Sequence, residues 1–445
     1  MNSPKIDLNP QFQQAITVLE QSSNHAFITG RAGTGKSTLL DFFRTRTDKN
    51  TAVLAPTGVA ALNVEGETIH SFFRFKPGLT VDEAKQEAQR VKQRRELYRA
   101  LELLIIDEIS MVRADLLDCM NVFLQAVRHS HLPFGGVRLI CFGDLHQLPP
   151  VMRREEQATL SQVYDSPYFF GSHAFAELNN QLFNQLDFIE LETVYRQKDA
   201  HFIELLNAIR DKQLTDEILA RLNERVIVDN VLESLADTTI VLTATNAQAD
   251  AINSYKLNQL SGESSLFEGD ANGAFERSSY PTDEEVLIKS GARVMMVNND
   301  RNKQWVNGSV GTVMEVIRHE TKAQMKGLMV MLDDGGLVDV WPHTWEMSRS
   351  YFDPATQAIQ REVVGSYTQI PVRLAWAVTI HKSQGKTFDK VVVDLGRGAF
   401  AAGQTYVALS RCRTLEGLQL AQPLRARDVQ LDSTIVTFLQ ALRKV

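Results

Sequence analysis

The 445-residue chain is poor in several features that commonly place a protein in a class. It has three cysteines, Cys119, Cys141 and Cys412, far apart and without CxxC spacing. Neither a disulfide framework nor a zinc site is therefore expected, and a reducing interior is the default. No uninterrupted apolar run reaches the ~18–20 residues that a membrane span needs. The opening MNSPKIDLNPQFQQ has no positive segment followed by an apolar one, so no secretory leader is expected. Positive charge is not in excess: 47 Lys+Arg face 54 Asp+Glu, a formal charge of −7, which excludes a strongly basic nucleic-acid binder. Internal repeats and low-complexity segments are missing too. With 44% hydrophobic and 23% charged residues, the composition is that of a folded chain long enough for two to four domains.

Against these absences stands a regular alternation. An amphipathic stretch from Phe12 to Glu20 leads into HAFIT (25–29), and TAVLAP (51–56), LELLIIDE (101–108) and VRLICFGD (137–144) follow, with helical patterns between them. Apolar strands alternating with helices predict an α/β layer around a parallel sheet. A second set, TTIVLTAT (238–245), KVVVDLG (390–396) and GLQLAQP (417–423), predicts a second such lobe, whose first helix is FIELLNAIRD (202–211). Two segments break the rhythm. Residues 66–100 are charged and helical, and their end, QRVKQRRELYR (89–99), carries Arg90, Lys92, Arg94, Arg95 and Arg99 against Glu96. Residues 291–370 read as short strands, with Asn307-Gly308 and Asp334-Gly335-Gly336 as turns, and predict an inserted β-barrel.

Gly30-Arg31-Ala32-Gly33-Thr34-Gly35-Lys36-Ser37 fits G-x-x-x-x-G-K-[ST] between a strand and a helix. Backbone N–H groups of such a loop curl around phosphate oxygens at a helix N-terminus. Lys36 would reach the β- and γ-phosphates and the Ser37 hydroxyl would ligate Mg²⁺. In LLIIDE, Asp107 would hold the metal and Glu108 would polarise the attacking water. Phosphoryl transfer also needs positive charge at the γ-phosphate, often from another lobe. Arg196 in VYRQ and Arg411 in ALSRCR are the candidates.

These strings belong to a longer series: GRAGTGKST (30–38), APTGVAALNVEGETIHSFF (55–73), LLIIDEISMV (103–112), CFGDLHQLPPV (141–151), VYRQKDAHFIELLNAIRD (194–211), WAVTIHKSQGKTFDKVVVDLG (376–396) and TYVALSRCRTLEGL (405–418). In this order they resemble the motifs of the PIF-type (petite integration frequency) DNA helicases, of the RecD-like 5′-to-3′ branch of helicase superfamily 1. The resemblance implies two RecA-like P-loop lobes with parallel sheets, a small mostly helical insertion in the first, and an SH3-like β-barrel inserted in the second. The expected bounds are 1–65 and 101–185 for lobe 1, 66–100 for its insertion, 186–290 and 371–445 for lobe 2, and 291–370 for the barrel.

The resemblance also implies roles. Nucleotide binding falls to Gly33, Thr34, Gly35, Lys36, Ser37 and Thr38 of motif I, and to Gln384 and Gly385 of motif V. Gln147 would sense the γ-phosphate, and Arg196 and Arg411 would embrace it from the second lobe. Thr57, Thr68, His70, Phe72, His381 and Lys382 would line the single-strand path, although Ile69, Phe72 and Phe73 also suit a core and His70 a satisfied buried site. The family's L-x-x-x-Q string is broken, because Phe12 stands four residues after Leu8, so the adenine edge is left to Gln11, Gln13 or Gln14. Of these, Gln14 is taken as the nucleotide contact. The insertion beginning Phe73-Arg74-Phe75 is expected to be the wedge that parts a duplex, and the basic run at 89–99 to supply a local positive field. ATP and Mg²⁺ are the implied cofactors. Single-stranded DNA and single-strand/duplex junctions are the implied partners, with G-quadruplex and R-loop structures as further substrates. No membrane partner is expected, and the chain would act as a monomer on DNA. The lack of a long N-terminal extension suggests a bacterial, nucleoid-associated cytoplasmic protein over a nuclear or mitochondrial one. An ATP-driven nucleoprotein remodeller, or a motor subunit of a recombination complex, stays open as the alternative.

Overall fold

Asn9 starts the first helix, α1 (Pro10–Gln21). Its side chain accepts a hydrogen bond from the Phe12 N–H at 2.8 Å, and Pro10 occupies the first turn, where its missing N–H leaves nothing unpaired. The computed structural model describes residues 9–152, 154–175, 186–197, 199–227, 238–319 and 325–444; Leu8, expected to open the adenine motif, lies outside them. Phe12, Ala15 and Leu19 of α1 bury against β1 (His25–Gly30) and α2 (Lys36–Arg44). The chain continues through β2 (Thr51–Ala55), α3 (Gly58–Asn63), β3 (Glu67–Thr68), α4 (Ile69–Phe73), α5 (Val81–Arg90), α6 (Arg95–Ala100), β4 (Leu103–Ile106), α7 (Ala114–Arg128), β5 (Arg138–Phe142), α8 (Arg154–Leu160) and β6 (Leu186–Leu191). These six strands make one parallel sheet in the order β3-β2-β4-β5-β1-β6. Every residue of β4 and β5 is buried, as central parallel strands covered on both faces require.

The second half opens with α9 (Ala200–Arg210), α10 (Asp216–Asn223), β7 (Ile240–Thr243) and α11 (Asn246–Gln259). A β-rich insertion follows: β8 (Ser265–Glu268), β9 (Asp270–Gly273), β10 (Glu285–Ile288), β11 (Arg293–Met296), β12 (Val310–Arg318), β13 (Lys326–Leu332), β14 (Leu337–Val340), β15 (His343–Asp353), β16 (Ala358–Gln369) and β17 (Val372–Leu374). The chain then returns through β18 (Ala377–Thr379), β19 (Val391–Asp394), α12 (Gln404–Leu409), β20 (Leu418–Leu420) and a last helix, α13 (Ser433–Leu442). The order β18-β7-β19-β20 is a second parallel sheet. Two separate α/β lobes thus form, as expected. Among the described residues no helix is long and apolar enough to cross a membrane, and all three cysteines are free and buried.

The segment bounds differ from expectation in four places. β6 pairs along its length with β1, so it completes the first sheet instead of opening the second lobe. The last helix, α13, returns to lobe 1: Ile435, Leu439 and Leu442 join that core, and Phe438 stacks on Phe170 at 4.2 Å. The β insertion begins at Ser265, because β9 pairs with β16 and β8 with β10. It consists of a five-stranded antiparallel sheet (β14-β13-β12-β11-β17), a three-stranded one (β15-β16-β9) and the β8–β10 pair. Finally, residues 66–100 are helical as expected but do not stand apart. Phe73 and Phe75 are 0% and 5% exposed and pack on Phe123, so only Arg74 between them faces solvent. Burying each phenyl contributes about 1.5–3 kcal/mol, which an exposed wedge would forfeit.

The basic run is structural for the most part. Arg90 pairs with Glu87, and Arg99 donates to the Val127 carbonyl. Arg94 donates to the carbonyls of Phe72 (3.2 Å) and Ser350 (2.9 Å), tying the β15–β16 hairpin to lobe 1. Glu67 completes that clasp by accepting from the Ser350 N–H at 2.6 Å.

Candidate nucleotide cleft and strand groove

The turn from β1 to α2 is built by glycines. Gly33 and Gly35 have φ of +79° and +88°, a region that side chains with a Cβ avoid. A Cβ on Gly33 would lie 2.5 Å from Arg196 Cβ, so close approach adds to the backbone requirement. The loop opens into a cleft of about 640 Å³ between the lobes, lined by Gly33 to Thr38, Glu108, Gln147, Arg196, Gly385 and Arg411. Lys36 donates to the carbonyls of Gly30 (2.7 Å) and Arg31 (3.1 Å). Burial lowers its pKa, while Asp144 and Glu108 pull the other way.

Asp107 and Glu108 follow the buried strand β4. Glu108 sits at φ +51°, sparsely populated for a residue with a side chain, and such strain is kept where the surroundings fix it. Burial and then the Asp107 charge push the Glu108 pKa up to about 7, with Lys36 opposing; burial also raises that of Asp107. Gln384 reaches both carboxylate and sensor, its Nε2 lying 3.3 Å from Glu108 Oε2 and 3.5 Å from Gln147 Oε1. Gln147 itself donates to Asp144 at 3.1 Å. If Glu108 is the base, Glu108→Gln should cut ATP turnover by about 10²–10⁴-fold while nucleotide still binds. Steady-state hydrolysis beside nucleotide titration checks this, and near-normal turnover would remove Glu108 from the role.

The two arginines arrive by different routes. Arg196 lies on the connection from β6 to α9, not on the second lobe proper, with the neighbouring Tyr195 N–H donating to the Gly33 carbonyl at 2.9 Å. Its guanidinium faces the second lobe, 3.4 Å from the carbonyls of both Ser410 and Gly385. Arg411, just after α12, is 1% exposed and is held by the Val407 carbonyl (2.9 Å) and the Ser410 hydroxyl (2.9 Å). Burial and then Arg196 lower the Arg411 pKa to about 9. Lys36, Arg196 and Arg411 gather positive charge around one cleft, and Glu108 and Asp144 offset it only in part.

The remaining expected contacts divide. Gln14 is exposed and is not among the cleft-lining residues, because Phe12, Ala15 and Leu19 take the buried face of α1. Gln11 is tied to Glu192, and Phe12 itself lines the cleft. Thr57 caps α3 and lines a second groove, of about 570 Å³, with His381, Lys382 and Gln384. Thr68 caps α4 but lines a different cleft, toward Ser71 and Arg349. His70 is half-buried, and burial lowers its pKa. Phe72 is 0% exposed, edge-on to Phe73 and Tyr98 at 5.0 and 5.4 Å, so it is core and not a base platform.

Three features escaped the sequence reading. Arg210 of α9 is buried 3.6 Å from Asp144, joining the lobes beside Gln147; the arginine at the end of an apolar helix was the available signal. Burial would raise the Asp144 pKa, but Arg210, His146 and Lys36 together hold it well below the usual carboxylate range. The Ala32 N–H donates to the Tyr406 hydroxyl at 3.1 Å, a second link between the lobes that no string announced. Phe400, 61% exposed, lies parallel to His381 at 6.5 Å.

The donors fit Mg²⁺. Ser37 and Asp107 offer the hard oxygens this ion takes. Two protein oxygens would leave the rest of the octahedral shell that Mg²⁺ prefers to water and substrate phosphates.

A family model described as PIF1-like helicase matches residues 9–218. The ATP-dependent DNA helicase PIF1 of Danio rerio is 34% identical over 97% of this chain, which spans 64% of that protein's length. The ATP-dependent DNA helicase Pif1 of Bdellovibrio bacteriovorus is 32% identical over 98% of this chain and 92% of its own. Among solved structures, a Bacteroides Pif1 with ADP-AlF4 is 35% identical and superposes with a TM-score of 0.88 over 99% of this chain and 98% of that one. Bacteroides Pif1 bound to single-stranded DNA, 34% identical over 98% of this chain and 97% of that one, gives 0.66.

Proposed function

This chain belongs to the PIF1-like helicase family, and from that premise we propose that it is an ATP-driven motor that moves 5′ to 3′ along single-stranded DNA and separates duplex ahead of it. The carrying observation is Gln384. It lines the second groove, and its amide lies within hydrogen-bond reach of both Glu108 and Gln147 at the nucleotide cleft. One side chain can therefore pass a change at the cleft to the groove.

In this reading the loop from Gly33 to Thr38 binds the phosphates and Lys36 turns from its carbonyl partners to the β- and γ-oxygens. Ser37 and Asp107 would hold Mg²⁺, which when bound neutralises phosphate charge. Glu108 takes a proton from the attacking water, which is why its raised affinity for protons matters. Arg196 and Arg411 stabilise the charge that develops on the transferred group. Thr57, His381 and Lys382 contact the strand by its backbone, without reading sequence. A motor that reads no sequence can meet junctions, G-quadruplexes and R-loops alike, and we include these among its substrates. Both cleft and groove are built within one chain, which favours action as a monomer.

The test is ATP-dependent unwinding of duplexes carrying either a 5′ or a 3′ single-stranded tail.

A further inference from the structure

We infer that Lys386, together with Arg373 and Lys382, forms a cradle for a backbone phosphate in the groove, and that the Lys386 carbonyl ties this cradle to Arg411. The inference rests on the groove being the strand path and deepens that reading by naming a site within it.

The geometry of Lys386 is unusual for a lysine. Its stem packs on Gly308, where φ is +98° and an added Cβ would lie 3.3 Å from Lys386 Cβ and Cγ. That contact aims the ammonium into the groove instead of letting it sweep solvent. Its hydrogen-bond partner there is the Met295 thioether, 3.7 Å away, a weak acceptor. No ion pair involves Lys386 among the described residues. Its charged neighbours are Arg373 and Lys382, of the same sign.

Arg373 is fixed by donating to the carbonyls of Pro281 (2.7 Å) and Tyr280 (3.4 Å). Asp250 and Asp283 partly offset Arg373 and Lys382 from an adjoining cleft that all four line. Lys386 gains no such offset. Three neighbouring cations, one of them left to a thioether, favour an anion among them, and without one the lysine sheds its proton more readily. In this groove the anion in question is a phosphodiester. The same residue also reaches the nucleotide site, for Arg411 Nη1 lies 3.3 Å from the Lys386 carbonyl and 3.4 Å from that of Ser383. A shift of this loop on the strand therefore moves an anchor of the arginine.

Burial, Arg373 and Lys382 lower the Lys386 pKa to about 7. Its charge is thus present below that pH and lost above it. Of the other titratable groups lining the groove, His381, His343 and Lys382 have pKa values lowered by burial, Glu65 is a carboxylate, and Glu108 is a carboxylate pushed up to about 7. These five and Arg373 are all retained in an arginine variant, so a comparison with Lys386→Arg isolates the lysine.

The experiment measures binding of a labelled oligothymidylate to the full chain by anisotropy over a salt series, for wild type, Lys386→Met and Lys386→Arg. Wild type should show a steep fall of log K with log salt. Lys386→Met should bind more weakly, with a slope shallower by ~0.7, the loss of one phosphate contact on a single strand. Lys386→Arg should keep the wild-type slope. Between about pH 6 and pH 8 the wild type should lose more affinity than Lys386→Arg does. An unchanged slope in Lys386→Met, with wild type binding normally, would overturn the cradle and leave the motor reading intact. No binding by wild type would instead overturn the motor reading. A further arm titrates inorganic phosphate alone, where weak binding is expected. Tight phosphate binding lost in Lys386→Met without any change in the DNA slope would reassign the cradle to a free anion and overturn the proposal.

Discussion

Lys36→Ala is expected to lower ATP turnover by at least about 10²–10³-fold, the scale for removing one preorganised donor from a charged transition state. The reasons lie in its position. Lys36 is the first residue of α2, at the end of the glycine loop, and lines the cleft. Its ammonium stands in the field of Asp144, Glu108 and Asp107, so deleting it removes one of the cations that oppose these carboxylates. Glu108 and Asp107 would then hold their protons to still higher pH, weakening base and metal ligand together. Folding should survive. The lowered Lys36 pKa means that burying the charged form costs stability, and a neutral side chain avoids that cost. Steady-state hydrolysis and a thermal melt check both halves: low turnover with a retained cooperative melt is expected. Unimpaired turnover would remove Lys36 from the phosphate site.

Arg411→Ala should have the larger effect on chemistry, about 10³-fold or more on turnover with nucleotide affinity little changed, as for arginines that touch only the developing charge. Truncation also takes the guanidinium away from the carbonyls of Val407, Ser383 and Lys386, of which the first two still accept from the Ser410 hydroxyl and the Lys386 N–H. Each buried acceptor left unpaired costs about 1–3 kcal/mol, so a second variant is needed. Arg411→Lys keeps the charge but not the planar fork, and should fold while still failing in turnover. Single-turnover hydrolysis with saturating nucleotide separates the two effects. Normal turnover in Arg411→Lys would show that a point charge suffices there, and normal turnover in Arg411→Ala would place the decisive arginine elsewhere.

The legible part of this molecule was local. HAFIT, LLIID and LICF carry short apolar runs bounded by polar or glycine residues, the pattern of buried parallel strands, and they appear as β1, β4 and β5. The glycine loop was legible because its backbone demands leave few alternatives to Gly33 and Gly35. For Phe72 the resemblance implied the strand path and the spacing a core: Ile69, Phe72 and Phe73 stand at i, i+3 and i+4, on one face of a short helix, and the core reading holds. The same period on α1 turns Gln14 away when Phe12, Ala15 and Leu19 face inward. What stayed hidden was non-local. That β6 would join β1, and that α13 would cross back to stack Phe438 on Phe170, depends on pairings between residues far apart in sequence. The basic run shows the same limit, since no composition count tells that Arg94 clasps a hairpin from the insertion. The deficit of positive charge seen at the outset is compatible with a groove in which a few cations, Lys382 and Lys386 among them, are concentrated.

In the proposed motor, hydrolysis in the cleft between the lobes drives directed movement along a strand held in the groove. Unwinding of two otherwise identical duplexes, one with a 5′ tail and one with a 3′ tail, tests it most directly when each is followed with and without ATP. Strand separation of the 5′-tailed duplex alone, and only with ATP, is the expected result. Separation of the 3′-tailed duplex alone, equal separation of both, or separation that persists without ATP would contradict it.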